Sequence, residues 1–420
     1  MEKGPAPVTE NVKRRIAARV AKMSDQIADL TRSLVAIPTE NPPGRSYGEC
    51  VELLKTELKN LGLPSEVIDV PGGGEHPRYV LLSGIGSGST VFLHGHYDVV
   101  PANRARQFDP IIASGRIEAR GASDMKGGIA AMVYALSALQ SEDLPGRVEL
   151  VLVPDEETGG KLGSGYLFRS RRLGRDGIGA IIGEPTSGVV WNASRGALTL
   201  RVRIKGRSAH VGLQHKGRNA FEGALPILYA LQEMKAKVEK HRTAFGIEPE
   251  EAAHSILMLG GEVVGGHQFN TVPEHFSFTV ERRFNPEEEL EVERKRLLEV
   301  IDRASPDNVD VEVNVIQEGG SCATDADGEL SRALVESIEE VAGKRPPFEL
   351  CPGLLEVRFY AQRRVPALAY GPGLLSVSHG PDEYVEVARL VECAEIYALT
   401  AMKQLQRGRV LPSNYSSPSR

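Results

Sequence analysis

Cysteine is scarce and scattered in this chain: Cys50, Cys322, Cys351 and Cys393 are the only four in 420 residues. Their spacing allows neither a CxxC pair nor a zinc knuckle, which excludes a disulfide framework and a sulfur-ligated metal as organising devices. Reduced thiols are expected. Long apolar runs are missing too: none approaches the length of a membrane span, and MEKGPAPVTENVKRRIAARV at the N-terminus lacks the compact apolar core of a signal peptide. A cytoplasmic protein with no membrane partner is the expectation. There is no excess of positive charge, the formal net charge being −6, so no nucleic-acid partner is expected. The glycines of GIGSGST (84–90) do not fit a dinucleotide loop, because position 89 is serine and the run precedes a strand instead of following one. A hairpin turn is expected there.

What remains, 41% hydrophobic and 25% charged residues, is the composition of an ordinary globular protein long enough for two domains. Val12, Ile16, Val20, Met23, Ile27, Leu30 and Leu34 recur every three or four residues, predicting one amphipathic helix that ends before Pro38. VELLKTELKNLG predicts a second helix, after a turn at NPPG (41–44). Apolar strand-like runs, VFLHGHYDVVP, VELVLV (148–153) and IGAII, then alternate with helical segments such as GGIAAMVYALSALQ. That alternation predicts an α/β domain with a mostly parallel sheet, whose ligands bind beyond the carboxyl ends of the strands. From about Ser194 the texture changes. ALTLRVRIKG and HFSFTVERRF (275–284) alternate apolar and polar residues, as antiparallel strands with one solvated face do. The expected organisation is a catalytic domain over 1–194 and 317–408, interrupted by a smaller inserted α+β domain over 195–316. Residues 409–420 read as a disordered tail.

The strand VELVLV ends in three consecutive carboxylates, Asp155-Glu156-Glu157. An exposed strand-to-helix turn with Asp155 as cap would account for them locally. Other strand ends carry similar clusters, however: His96 and Asp98 in HGHYDVVP, Asp124 in ASDMKGG, Glu184 in GEPT, and His379 in VSHGPDEY. Each alone is weak, since a lone histidine is more often structural and an Asp before glycines is usually a cap. Together they put oxygen and imidazole ligands where an α/β sheet gathers its site. Mixed His and carboxylate donors without cysteine suit a catalytic zinc, cobalt or manganese centre.

The ordered set GHYDVVP, RGASDMKGG, PDEETGG, GEPT, GRSAH and SHGPDEY resembles the family of dinuclear zinc hydrolases that contains acetylornithine deacetylase, succinyl-diaminopimelate desuccinylase, aminoacylase and carboxypeptidase G. The likeness extends from about residue 25 to residue 405. It implies two divalent ions, zinc first and cobalt or manganese as alternatives, bridged by Asp124. His96 and Glu184 would complete one ion's protein ligands, and Glu157 and His379 the other's. Asp98 would orient the His96 imidazole, while His94 would be structural. Glu156 would be the general base and acid. The resemblance makes the inserted domain a lid and dimerisation domain, and makes the protein a homodimer. It implies that His210, in GRSAH, stabilises the oxyanion from a partner subunit. Asn270 in NTVP, Arg283 in ERRF and Arg358 in GLLEVRFYA match substrate-binding positions, although Glu281 and Glu356 replace the family's usual aspartates. The implied substrate is a small N-acyl amino acid or peptide-like molecule cleaved at an amide. A dipeptidase or carboxypeptidase, attack on a non-amide electrophile, and a metal-dependent binding protein without turnover are the alternatives.

Overall fold

The computed structural model describes residues 8–408, so the expected tail at 409–420 lies outside the described residues. The chain forms two compact units. One takes in the described chain up to Asn192, Thr324–Phe348 and the described chain from Phe359 on; the other comprises Ala193–Ala323 and Glu349–Arg358.

The first unit is mixed α/β. Its main sheet runs in the order Ser65–Val70, Arg78–Gly86, Arg147–Val153, Thr90–His96, Gly177–Ile182, Ala367–Ala369 and Val190–Ser194. The central neighbours are parallel and the outer ones antiparallel. Every residue of Thr90–His96 is buried, which explains why this strand reads as a continuous apolar run without alternation. Arg147–Val153 lies between Arg78–Gly86 and Thr90–His96. The expected hairpin at 84–90 is therefore a connection between strands that do not pair. Local turn chemistry is compatible with both, and only the non-local pairing decides.

Helix Gly127–Leu139 has almost its whole circumference buried and packs against the final helix, Val387–Gly408. A helix apolar all round is stable only when covered on every side. Burying each large aliphatic side chain there contributes about 1.5–3 kcal/mol. Its start approaches the sheet closely: a Cβ on Gly128 would lie 2.5 Å from the Gly183 carbonyl oxygen. The paired glycines of MKGG thus let the helix begin against a strand end.

The amphipathic run near the N-terminus folds as two helices, Glu10–Lys22 and Ser24–Val35. They break at Met23, whose φ of −100° and ψ of 10° leave the helical region. Ile16, Val20, Ile27, Leu30 and Leu34 are buried on both sides of the break, so the apolar period passes through it without interruption.

The second unit contains a four-stranded antiparallel sheet in the order Ile256–Gly265, His275–Phe284, Gly196–Lys205 and Asp310–Gly319. Leu198, Leu200, Val202 and Ile204 alternate inward and share one apolar cluster with residues of helices Ala220–Val238 and Leu290–Ala304. Residues 317–323 and 349–358, expected in the resumed catalytic domain, cluster with this unit. Hydrogen bonds from Leu350 N to the Gly246 carbonyl, 2.7 Å, and from Arg195 N to the Cys351 carbonyl, 3.3 Å, hold the later segment there.

Candidate metal centre

Parallel register brings the strand ends of the first unit to one edge. His96 pairs with Val153 and His94 with Ile182, so His96 and Glu184 extend two residues past a common level. Glu156 and Glu157 follow Val153 in the turn beyond the adjacent strand. Asp124 comes from the distorted turn Ala122–Lys126 that precedes helix Gly127–Leu139; its φ of −125° and ψ of 96° are extended, not helical. His379 comes from the loop before the final helix and has a φ of 62°.

These residues converge. His96 Nε2 lies 3.1 Å from Asp124 Oδ1 and 3.9 Å from Glu184 Oε1. His379 Nε2 lies 3.2 Å from Asp124 Oδ2 and 3.3 Å from Glu157 Oε1. Two sets of donor atoms result, His96–Asp124–Glu184 and Asp124–Glu157–His379, each set within 4.8 Å, with Asp124 in both. Glu156 belongs to neither set. Of the adjacent glutamates, Glu157 is the one whose carboxylate joins the cluster.

The electrostatics ask for positive charge. Burial works against a proton on His96, but hydrogen bonds to Asp124 and Asp98 prevail and hold it well above its usual pKa. Hydrogen bonds to Asp124 and then Glu157 raise His379 to about 10. Burial alone would raise Asp124; hydrogen bonds from His379 and His96 outweigh it and hold the carboxyl well below its ordinary range. Burial pushes Glu157 up, chiefly against the His379 contact. Three carboxylates and two imidazoles crowded this way make a mixed oxygen and nitrogen donor set of the kind that suits divalent zinc, cobalt or manganese. The residues present fit two divalent ions, Asp124 being common to both donor sets.

Asp98 does more than face one imidazole. The strand ends at His96, and Asp98 lies just beyond it. His96 Nδ1 is 3.0 Å from the Asp98 carbonyl oxygen and 3.3 Å from Oδ1. The Asp98 carboxylate also accepts the backbone N–H groups of Glu156 and Glu157, both at 3.1 Å. Asn41 donates to its other side at 2.8 Å and to Thr158 Oγ at 2.9 Å. Asp155 is a turn residue: its side chain accepts the Leu162 N–H, and its carbonyl accepts that of Gly160. His94 stands outside the cluster, bonded to Tyr360 Oη at 3.0 Å and Ser164 Oγ at 3.3 Å.

Sequence reasoning missed several supporting residues. Buried Glu383 accepts the N–H groups of Ser123 and Asp124, each at 3.0 Å, and pairs with buried Arg120 at 2.5 Å. Lys126 donates to the Leu34 and Ile37 carbonyls, tying the Asp124 turn to the end of helix Ser24–Val35. Arg120, Lys126 and Glu383 all lie inside the quoted motifs, which was their one signal. Asn41 lay in a segment that reads only as a turn.

The remaining expected site residues belong to the second unit. His210 is exposed and caps a short turn, its Nδ1 accepting the Gly212 N–H at 3.2 Å. That bond occupies Nδ1 and leaves Nε2 as the ring nitrogen open to another group. The Val211 N–H donates to the Asn270 carbonyl at 2.9 Å, so His210 and Asn270 are neighbours. Arg283 lies on strand His275–Phe284, its Nε against Glu281. Arg358 is 3% exposed and donates to the Leu355 carbonyl at 2.7 Å.

Comparison with known proteins places this geometry in context. The profile of the peptidase family M20/M25/M40 matches residues 92–403. A succinyl-diaminopimelate desuccinylase of Polynucleobacter necessarius is 28% identical over 392 residues, spanning 88% of this chain and 97% of that protein. The fold is similar to that of an M20 family metallo-carboxypeptidase, Sso-CP2 of Sulfolobus solfataricus. The TM-score is 0.75 at 18% identity, over 90% of this chain and 99% of that one. It is also similar to the dipeptidase Dug1p of Saccharomyces cerevisiae, with a TM-score of 0.74 at 15% identity, over 95% and 99% of the two chains.

Proposed function

The chain belongs to the peptidase family M20/M25/M40 and is a hydrolase of amide C–N bonds, and from that premise we propose that it deacylates a small N-acyl amino acid, in the manner of a desuccinylase or deacetylase. The similarity to succinyl-diaminopimelate desuccinylases along nearly the whole chain supports that acyl class over a dipeptide. The observation that carries the mechanism is Asp124, which presents one carboxylate oxygen to each of two donor sets.

In this reading His96, Asp124 and Glu184 would hold one divalent ion, and Asp124, Glu157 and His379 would hold the other, with zinc favoured and cobalt or manganese as alternatives. Such ions lower the pKa of a water from about 15.7 towards 7 and polarise a carbonyl oxygen. Glu156, next to Glu157 in the chain and in neither donor set, takes a proton from the attacking water. Oxygen adds to the substrate carbonyl carbon, the C–N bond breaks, and Glu156 delivers the proton to the departing nitrogen. Asp98 fixes where Glu156 and Glu157 stand by holding both of their amides. His210 donates from Nε2 to the developing oxyanion, Asn270 orients the substrate, and Arg283 and Arg358 recognise its carboxylate.

A homodimer is part of the proposal. The edge strand Ile256–Gly265 exposes Met258, Val263 and Val264, and Phe269 just beyond it is fully exposed; an apolar edge of this kind is suited to pairing with another chain. A cytoplasmic setting accords with four free cysteines. No helix among the described residues is long and apolar enough to cross a membrane.

Substituting Glu156→Gln tests the division of labour. Turnover of an N-succinyl or N-acetyl amino acid falls by about 10²–10⁴-fold, while elemental analysis still finds two ions per chain. Loss of the ions together with activity would assign Glu156 to metal binding and overturn the role. Asp124→Asn, in contrast, loses both ions.

A further inference from the structure

The His379 ring is held by nothing on its own element. Its side chain is half exposed, and its φ of 62° lies in the left-handed region that L-residues avoid. Yet Nε2 reaches both Asp124 and Glu157, so something must hold the backbone there. The structure shows what does. Arg120 Nη2 donates to the His379 carbonyl at 3.1 Å and to Asn103 Oδ1 at 2.7 Å, while Nη1 donates to Glu383 Oε2 at 2.5 Å. Gln107 adds a bond to the Gly380 carbonyl, 2.9 Å. Glu383 in turn accepts the amides of Ser123 and Asp124. The Arg120 side chain is 1% exposed, so its fork is fixed among these partners.

We infer that Arg120 is a positioning residue weighted to one half of the centre: its bond to the His379 carbonyl serves the Asp124–Glu157–His379 donor set alone, while its Glu383 arm reaches Asp124, common to both sets, only at one remove. The inference rests on the two-ion reading above. A single planar guanidinium is what the arrangement requires, because its donors diverge in a fixed fork that a lysine ammonium cannot reproduce. The other donor set has its own supports. His96 is oriented by Asp98, and Glu184 lies two residues past the strand Gly177–Ile182; the Arg120 guanidinium hydrogen-bonds to neither.

Arg120→Lys tests this, with Co(II) alone as the probe and visible absorption reporting each binding step, on full-length protein stripped with a chelator. Wild type takes up two equivalents. In the variant one step stays within about twofold of wild type, and the other weakens by about 10–100-fold, the range for loss of a group that orients a ligand. His379→Ala removes the same step and so identifies it. Equal weakening of both steps, or no weakening, would overturn the assignment. Should Arg120→Lys fail to fold by its melting curve, Asn103→Ala decides, because it removes one anchor of the same Nη2. Selective weakening of the His379 step supports the inference, and uniform or absent change overturns it. A wild-type protein that binds fewer than two ions would overturn the two-ion reading itself, and the inference with it.

Discussion

Asp98 illustrates how much of this site is decided one atom behind the ligands. Its carboxylate accepts two consecutive amides, Glu156 and Glu157, and the Asn41 side chain, while Oδ1 also faces His96. Asp98→Asn would turn an amide NH2 toward at least one group that is itself a donor, and Asp98→Ala would leave two N–H groups without their acceptor. Groups that orient metal ligands affect affinity or activity by about 10–100-fold. For Asp98→Ala we expect loss of that order in both metal affinity, measured by competition with a chelator, and kcat. Unchanged affinity with lowered kcat would confine Asp98 to placing Glu156. The proposed ligands are legible in the sequence because they lie in short motifs of set order, with His96 and Glu184 at or just past the ends of apolar strands. The groups that hold them are less so. Arg120 and Glu383 lie 263 positions apart, and a buried ion pair of that span has no local pattern to announce it.

At the scale of elements, what could be read was whatever depends on local periodicity or composition. The parallel centre of the first sheet and the antiparallel second sheet follow from continuous and alternating apolar patterns. The break at Met23 did not show, since no glycine or proline marks it and both helices bury the same stripe. The pairing of Arg78–Gly86 with Arg147–Val153 was hidden because strand order is a long-range outcome. The first of the two helices is fastened by another such contact. Arg15 and Arg19 both bond Glu142, which follows helix Gly127–Leu139 and whose carboxylate is nearly inaccessible. The hydrogen bond from Arg15, reinforced by Arg19 against the effect of burial, holds Glu142 below its ordinary value of 4.5. A carboxyl with a depressed folded-state pKa stabilises the fold above its unfolded value, and that stabilisation is lost as pH falls through the folded value. Glu142→Gln should therefore lower the melting temperature at neutral pH, and the gap from wild type should close progressively below pH 4.5. A gap that persists unchanged in acid would mean that the charge is not what fastens the helix.

For the whole molecule, the question is whether one chain suffices for catalysis. His210 is exposed on the second unit, and its Nδ1 accepts the Gly212 N–H, which leaves Nε2 for a group from elsewhere. The apolar edge around Val263, Val264 and Phe269 belongs to that same unit. If that edge joins two copies and His210 serves the partner's centre, two inactive variants should rescue each other. Glu156→Gln chains lack the base but carry His210, and His210→Ala chains lack the histidine but carry Glu156. In a mixed dimer one centre has lost both groups and the other has regained both. Random pairing of equal amounts makes half the dimers mixed, each with one restored centre, so the mixture should recover about a quarter of wild-type turnover. Co-expression followed by a kcat measurement, with dimer content checked by mass, reads this directly. Activity no greater than the average of the two parents, in a sample shown to contain mixed dimers, would return His210 to its own chain or remove it from the reaction. Rescue near a quarter has no source within a single chain, because neither variant carries both groups.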